Sequence, residues 1–164
     1  MGKLIILRGN SGSGKTTVAK KLQKKFGRNT MLISQDEIRR NMLWVQDGID
    51  TKALPLMIEL LQYGNAHSEI VILERIMYDE WYHPLFKAAN ELYGINVYSY
   101  YFDLPFKETV RRHQTRSISQ EFGEEHMREW WREKDFSSVL KEKVITCEMG
   151  ADDIVEMVCA DLKM

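Results

Sequence analysis

The sequence predicts a three-layer α/β fold, in which a parallel sheet of five strands lies between two layers of helices. Three observations lead to this prediction. Five short apolar runs alternate with segments of helical periodicity along the 164 residues. The run at residues 69–74 has four consecutive apolar residues between two carboxylates, which is typical of a strand buried on both faces. A glycine-rich loop at residues 9–14 joins the first apolar run to the first helical segment.

Length and composition favour a single soluble domain spanning residues 1–164. The chain is 44% hydrophobic and 29% charged, as is usual for globular proteins. A formal net charge of −1 argues against a general binding surface for nucleic acid or anionic membrane, although it does not exclude a local basic cleft. No apolar run is long enough to span a bilayer. The two cysteines have no metal-binding spacing and favour a reducing, cytoplasmic location.

The first strand is predicted at residues 4–7, and the helix after the loop places Val18, Leu22 and Phe26 on one face. Between them, residues 9–16 read GNSGSGKT and match the phosphate-binding P-loop pattern G-x-x-x-x-G-K-[ST]. A glycine-rich turn that merely starts a helix would not explain the Lys and Thr after the last glycine. The residues expected to bind a nucleotide are Gly9, Asn10, Ser11, Gly12, Ser13, Gly14, Lys15, Thr16 and Thr17.

The chemistry of this loop depends on closely spaced backbone N–H groups, which glycines allow to converge on an anion. The positive end of the following helix dipole adds to the attraction. Lys15 is then expected to reach the β- and γ-phosphates of the nucleotide. The Thr16 hydroxyl is expected to be a ligand of Mg²⁺.

The remaining elements follow in order. Ser34 and Glu37 have the spacing of a capping box, which predicts a helix that begins after the second strand and carries Asp36 and Arg39. Further strands are expected at residues 30–33, 69–74, 95–102 and 143–147. Further helices are expected at residues 51–63, 81–93, 105–115, 123–135 and 152–162.

Ligands of parallel α/β sheets bind beyond the carboxyl ends of the strands. The first strand ends at the P-loop, the second just before Asp36, the third at Glu74 and the fourth at Asp103. The predicted topology therefore gathers the loop and these carboxylates at one edge of the sheet.

With the P-loop and these strand ends, the chain resembles the P-loop kinase superfamily of small phosphotransferases. That superfamily includes adenylate, shikimate and gluconate kinases and the zeta-toxin and polynucleotide kinase relatives. The resemblance covers essentially the whole chain and implies a five-stranded core, ATP as the phosphate donor and Mg²⁺. It also implies a helical lid that bears arginines, which corresponds to residues at about 117–135.

Asp36 and Arg39 are three residues apart and share a helix face. In polynucleotide-kinase-like members, an Asp-x-x-Arg at this place supplies a base for the acceptor hydroxyl and a clamp. The resemblance thus implies that Asp36 orients or deprotonates the acceptor, while Arg39 binds acceptor or phosphoryl oxygens. The alternative is an acid that stabilises its own helix dipole and forms a surface ion pair with Arg39.

Glu74 ends an apolar strand, where a solvated acid has little local reason to occur. It is a candidate to hold a Mg²⁺-bound water or to accept a hydrogen bond from a substrate hydroxyl, so the base is either Asp36 or Glu74. The structural alternative is that Glu74 ends the strand or pairs with Arg75.

Arg112 and Arg116 are four residues apart near the end of a predicted helix. In the superfamily, an Arg-x-x-x-Arg at the base of the lid contacts the transferring phosphates, so both are candidate catalytic residues. The planar guanidinium fork suits phosphate oxygens, and positioned cations supply much of phosphoryl-transfer catalysis. Both arginines would also suit the helix C-terminus electrostatically.

The predicted function is an ATP- and Mg²⁺-dependent kinase that acts on a hydroxyl of a small molecule, with a nucleoside or nucleotide as one candidate acceptor. The first alternative is a polynucleotide 5′-hydroxyl kinase, which should need a basic track that the sequence does not display. The second is a regulatory nucleotide-binding module without transfer activity. The helices that would select the acceptor carry no recognisable motif, and the oligomeric state is left open.

Overall fold

The computed structural model describes residues 2–115 and 122–163 and confirms the three-layer α/β prediction. Its sheet has five strands, all parallel, in the order β2-β3-β1-β4-β5. The strands are β1 (Lys3–Gly9), β2 (Thr30–Ser34), β3 (Ile70–Glu74), β4 (Val97–Phe102) and β5 (Glu142–Ile145). Because β1 is central, the loop that follows it lies between the ends of β3 and β4.

Helices cover both faces of the sheet. They are α1 (Lys15–Phe26), α2 (Gln35–Glu37), α3 (Ala53–His67), α4 (Asp79–Tyr93), α5 (Phe106–Gln114), α6 (Glu124–Trp130) and α7 (Ala151–Asp161). A π-helical turn, Ile38–Met42, continues α2. In the part of the chain that the structure describes, no helix has the length and apolar character needed to traverse a bilayer.

The central strand contributes to two hydrophobic cores because its side chains alternate between the faces of the sheet. Leu4 and Ile6 pack with residues of α3 and α4 on one face. Ile5 and Leu7 pack with residues of α1 and α7 on the other. All five residues of β3 are buried, as the uninterrupted apolar run predicts.

Two local predictions are wrong. The Ser34 side chain makes no capping hydrogen bond. Glu37 does not reach back toward Ser34, because its carboxylate accepts a 2.7 Å hydrogen bond from Asn41 Nδ2 in the following π-helical turn. The helix expected at residues 123–135 ends at Trp130. Beyond it, the backbone N–H and C=O of Arg132 bond to the Asn10 side chain instead of continuing the helix.

The full burial of one charged side chain was not predicted from the sequence. The Arg8 side chain on β1 is fully buried. Its guanidinium donates to the Met77 carbonyl at 3.0 and 3.1 Å and forms ion pairs with Asp135 at 3.1 Å and Glu142 at 2.7 Å. A buried guanidinium is tolerated only when it is paired and hydrogen-bonded. This network therefore fixes the chain after α6 against the centre of the sheet.

Candidate active site

The glycine-rich loop lies tightly between β1 and α1. Gly12 has a φ of +78°, and a Cβ there would lie 2.5 Å from the Thr109 carbonyl oxygen, so only glycine fits. Gly14 has a φ of +95° and precedes α1 without a side-chain cap. The first turn of α1 contains no acidic residue. The positive end of this helix therefore stays available to an anion.

The loop and the N-terminus of α1 line a cavity of about 390 Å³, which we call the donor cavity. Its other walls include Arg75, Ile76, Arg111, Arg112, Met149 and Ile154. Lys15, Arg75, Arg111 and Arg112 are the charged residues of the lining, and Met149, Ala151 and Ile154 add apolar side chains at the start of α7. This distribution suits a ligand with an anionic end and an apolar end.

Lys15 is 4% exposed, and its Nζ donates to the Asn10 carbonyl oxygen at 2.7 Å and to Ser13 Oγ at 3.0 Å. Both acceptors belong to the loop itself. The ammonium group is consequently held inside the curve of the loop, in the wall of the donor cavity.

Thr16 and Glu74 meet beside the loop. Thr16 Oγ1 donates to Glu74 Oε2 at 3.1 Å, and Glu74 is 1% exposed at the end of β3. Hydroxyl and carboxylate oxygens are the hard ligands that Mg²⁺ prefers, and Mg²⁺ usually needs few of them because phosphates and waters complete its shell. Among the described residues, no group of three or more His, Cys, Asp or Glu side chains is placed to hold a metal ion.

Asp36 is surrounded by guanidinium groups. Its carboxylate lies 3.1 Å from Arg39 Nη2, 2.8 Å from Arg40 Nε and 3.2 Å from Arg75 Nη2. The Asp36–Arg39 ion pair that the structural alternative predicted is therefore present, and Arg40 and Arg75 add to it. Glu74 and Arg75, the other pairing considered from sequence, bond to different partners.

Arg75 has an unusual backbone, with a φ of +145°, and its N–H donates to the Leu7 carbonyl at 3.2 Å. A non-glycine residue in this region is strained, and such strain concentrates at functional sites. Arg75 was not among the site residues predicted from the sequence. Its position directly after a strand end was the signal that could have identified it.

A second cavity of about 500 Å³, which we call the acceptor cavity, lies on the other side of Arg75. Its walls include Asp36, Arg39, Asp47, Trp81, Trp130 and Arg132. Ser11, Arg75 and Ile76 line both cavities. The predicted P-loop and the predicted Asp36–Arg39 pair thus face two compartments with a common wall.

Arg39 lies beside a small polar network that the sequence did not reveal, and its buried Nε has no hydrogen-bond partner among the described residues. Its Nε lies 4.0 Å from Asp47 Oδ2, while Asp47 Oδ1 accepts a 2.6 Å hydrogen bond from the Tyr82 hydroxyl. Gln35 Nε2 donates to the same hydroxyl at 2.7 Å. Burial and the hydrogen bond to Asp47 raise the pKa of Tyr82, so its hydroxyl stays protonated and keeps donating.

Arg112 is fixed against the phosphate loop. Its Nε donates to Glu108 Oε1 at 2.9 Å, and its Nη1 donates to the Ser13 carbonyl at 3.2 Å. Hydrogen bonds from Arg111 and Arg112 lower the pKa of Glu108 to about 2, so this anchor is anionic at neutral pH. Arg116, the other predicted lid arginine, lies outside the described residues.

The segment at residues 122–135 lies against the acceptor cavity. Asn10 Nδ2 donates to the Arg132 carbonyl at 2.8 Å, and Asn10 Oδ1 accepts from the Arg132 N–H at 3.0 Å. The Tyr78 hydroxyl donates to the Trp130 carbonyl. The Arg132 guanidinium lies 3.9 Å from the Tyr78 ring centroid. Sequence reasoning included Asn10 as a loop residue but did not find its side-chain contact with Arg132.

Comparison with known proteins agrees with this architecture. A family model described as AAA domain matches residues 4–134. The APS kinase of Mycobacterium tuberculosis, solved with AMPPNP and APS, aligns with a TM-score of 0.67 and 17% identity over 99% of this chain and 98% of its own. No curated protein sequence gives a significant match.

Two further solved structures share the fold. The tunicamycin resistance protein of Deinococcus radiodurans aligns with a TM-score of 0.65 and 17% identity over 100% of this chain and 97% of its own. The shikimate kinase of Acinetobacter baumannii, solved with shikimate, aligns with a TM-score of 0.60 and 17% identity over 99% of this chain and 94% of its own. At such identities the similarity establishes the fold, and function has to be argued from the site.

Proposed function

Because the chain belongs to the AAA domain family and to the P-loop kinase superfamily, we propose that it is a kinase that transfers the γ-phosphate of ATP to a small-molecule hydroxyl. The observation that carries this proposal is the wall of Ser11, Arg75 and Ile76 shared by the two cavities. A phosphoryl group held by the P-loop on one side of that wall would lie next to a hydroxyl held by Asp36 on the other.

On the donor side, the loop N–H groups, Lys15 and Arg112 would bind the phosphates of ATP. Phosphoryl transfer relies mainly on positioned positive charge, since negative charge spreads over the equatorial oxygens in the transition state. Arg112 suits that task because its guanidinium is already fixed by Glu108 and by the Ser13 carbonyl. Arg75 is placed to contact the same phosphoryl group, because it lines both cavities.

Thr16 and Glu74 are the residues that would hold magnesium, directly or through its waters. Magnesium, when bound with ATP, neutralises phosphate charge. The fit rests on two oxygen ligands already 3.1 Å apart beside the loop. Glu74 is thereby assigned to the metal, which leaves Asp36 as the candidate base.

On the acceptor side, Asp36 would accept the hydroxyl proton as the hydroxyl oxygen forms its bond to the γ-phosphorus. The bond from that phosphorus to the bridging oxygen breaks, and its electron pair leaves on ADP. Arg39 would hold acceptor or phosphoryl oxygens. Ion pairs with Arg39, Arg40 and Arg75 would hold the Asp36 carboxylate in position for this step.

We further propose that residues 117–135 form a lid over the two substrates. Supporting this, the described part of the segment contributes Phe122, Glu129, Trp130 and Arg132 to the acceptor cavity. A lid excludes water and so protects ATP from hydrolysis before an acceptor binds.

A small-molecule acceptor is favoured over a polynucleotide. Solved relatives hold APS and shikimate, which are both small molecules. The net charge of −1 also gives no general attraction for a nucleic-acid backbone.

The test is a screen of hydroxylated metabolites and a 5′-hydroxyl oligonucleotide with γ-³²P-labelled ATP and magnesium. We expect label to enter a small molecule. Label only in the oligonucleotide would indicate a polynucleotide kinase. Label only in inorganic phosphate, with no stimulation by any acceptor, would favour the regulatory module.

A further inference from the structure

Aromatic side chains line the acceptor cavity from two directions. Tyr78 and Trp81 lie at the start of α4, with ring centroids 4.8 Å apart and planes at 75°. Phe122 and Trp130 belong to the proposed lid, with centroids 5.0 Å apart and planes at 62°. Each pair makes an edge-to-face contact, so one wall comes from the body of the domain and the other from the lid.

The two pairs hold their own geometry without packing on each other. Among residues 2–115 and 122–163, no ring of one pair stacks on a ring of the other. The two walls are joined by the hydrogen bond from the Tyr78 hydroxyl to the Trp130 carbonyl and by the Arg132 guanidinium, which lies 3.9 Å from the Tyr78 ring centroid and 5.1 Å from that of Trp81. Trp81 and Trp130 are only partly buried.

We propose that the acceptor carries a planar aromatic ring, which binds between Trp81 and Trp130 while its hydroxyl approaches Asp36. This inference rests on the proposed function. Aromatic rings gain from stacked and edge-to-face contacts beyond the burial of their area. A saturated ring of the same size would gain the burial alone. The aromatic side chains of the acceptor cavity should therefore favour an acceptor with a planar ring.

The test compares probes that differ in ring planarity and keep the same hydroxyl groups. One pair is uridine and 5,6-dihydrouridine, and the other is 2-phenylethanol and 2-cyclohexylethanol. Binding is measured by calorimetry with AMPPNP and magnesium at saturation. We expect at least one aromatic probe to bind roughly tenfold or more tightly than its saturated counterpart, as stacking on aromatic side chains typically provides. The proposal would be overturned if neither aromatic probe bound more tightly than its saturated counterpart. It would also be overturned if neither aromatic probe bound at all.

Substitutions of single tryptophans test which side chains cause the difference in affinity between aromatic and saturated probes. Trp81→Leu and Trp130→Leu should each reduce the ratio between aromatic and saturated affinities. Trp131→Leu is the matched control, because Trp131 packs against Phe106 with centroids 5.2 Å apart and lies outside the acceptor cavity. A ratio that falls equally in all three variants would contradict the assignment.

These binding measurements do not require that the protein transfers phosphate. If AMPPNP binds and the aromatic probe discriminates, but no phosphate is transferred, the proposed kinase activity fails and the aromatic site stands. If an aliphatic acceptor is phosphorylated and neither aromatic probe discriminates, the kinase stands and this inference fails.

Discussion

The side-chain amide of Asn10 pairs in both directions with the backbone of Arg132, at 2.8 Å to its carbonyl and 3.0 Å from its N–H. Asn10 belongs to the phosphate loop, while Arg132 lies just after α6. The contact joins the proposed ATP site directly to the proposed lid. It also explains why α6 ends at Trp130, since the Arg132 backbone groups are used by Asn10.

Asn10→Ala should loosen the lid without unfolding the domain. Two hydrogen bonds of about 1 kcal/mol each would be lost. We expect backbone amides of α6 to exchange hydrogen roughly tenfold faster, as measured by mass spectrometry, while the rest of the sheet is unchanged. Asn41→Ala is the control, because the exposed Asn41 side chain donates to Glu37, four residues earlier in the chain. Unchanged exchange in α6 would mean that Asn10 does not hold the lid.

Asp36→Asn should slow phosphate transfer to the acceptor and leave ATP binding nearly unchanged. The substitution keeps the size of the side chain and removes the base, so kcat should fall by about 10²–10⁴ while ATP affinity stays nearly the same. Slow hydrolysis of ATP by water should persist. Glu37→Gln is the control, since Glu37 bonds to Asn41 instead of facing the arginines. Transfer at the wild-type rate in Asp36→Asn would make this acid structural and return Glu74 to consideration as the base.

Arg112→Lys keeps the positive charge and loses the planar fork. Because Arg112 bonds at once to Glu108 and the Ser13 carbonyl, lysine cannot reproduce its position. We expect kcat to fall roughly 10-fold to 10³-fold in steady-state assays. Arg128→Lys is the control, because Arg128 is exposed and pairs with Glu124 outside both cavities. An unchanged kcat in Arg112→Lys would show that charge alone is sufficient at this position.

Arg8→Met tests the buried ion network. Loss of the guanidinium leaves Glu142, whose side chain is 3% exposed, without its 2.7 Å partner. Breaking such a pair should lower the free energy of unfolding by about 3–5 kcal/mol, measured by urea denaturation. Lys21→Met removes the exposed pair with Asp152 and should cost less than about 1 kcal/mol. Equal effects of the two substitutions would contradict the structural importance assigned to Arg8.

Some parts of the site could be predicted because they depend on local sequence patterns. Others could be predicted because ligands of parallel sheets bind beyond the carboxyl ends of the strands. Residues 9–16 carry a motif whose chemistry is contiguous in sequence. Asp36 and Glu74 could be brought to the same edge because both follow predicted strands. For these residues, knowing the strand ends was sufficient.

The parts that could not be predicted depend on residues far apart in the chain. Asn10 and Arg132 are separated by 122 positions, and Arg8 and Glu142 by 134. No local pattern reports such contacts. Arg8 even follows a run of apolar strand residues, so its full burial becomes understandable only once Asp135 and Glu142 are placed beside it.

The proposal that the P-loop binds ATP for phosphate transfer depends on Lys15. Calorimetric titration with ATP and magnesium, followed by transfer of γ-³²P label in the metabolite screen, should be run on wild type, Lys15→Ala and Lys20→Ala. Lys20 is the control because it lies exposed on α1. We predict that Lys15→Ala alone loses ATP affinity and transfer while its melting curve remains cooperative. Wild-type affinity and turnover in Lys15→Ala would contradict the account.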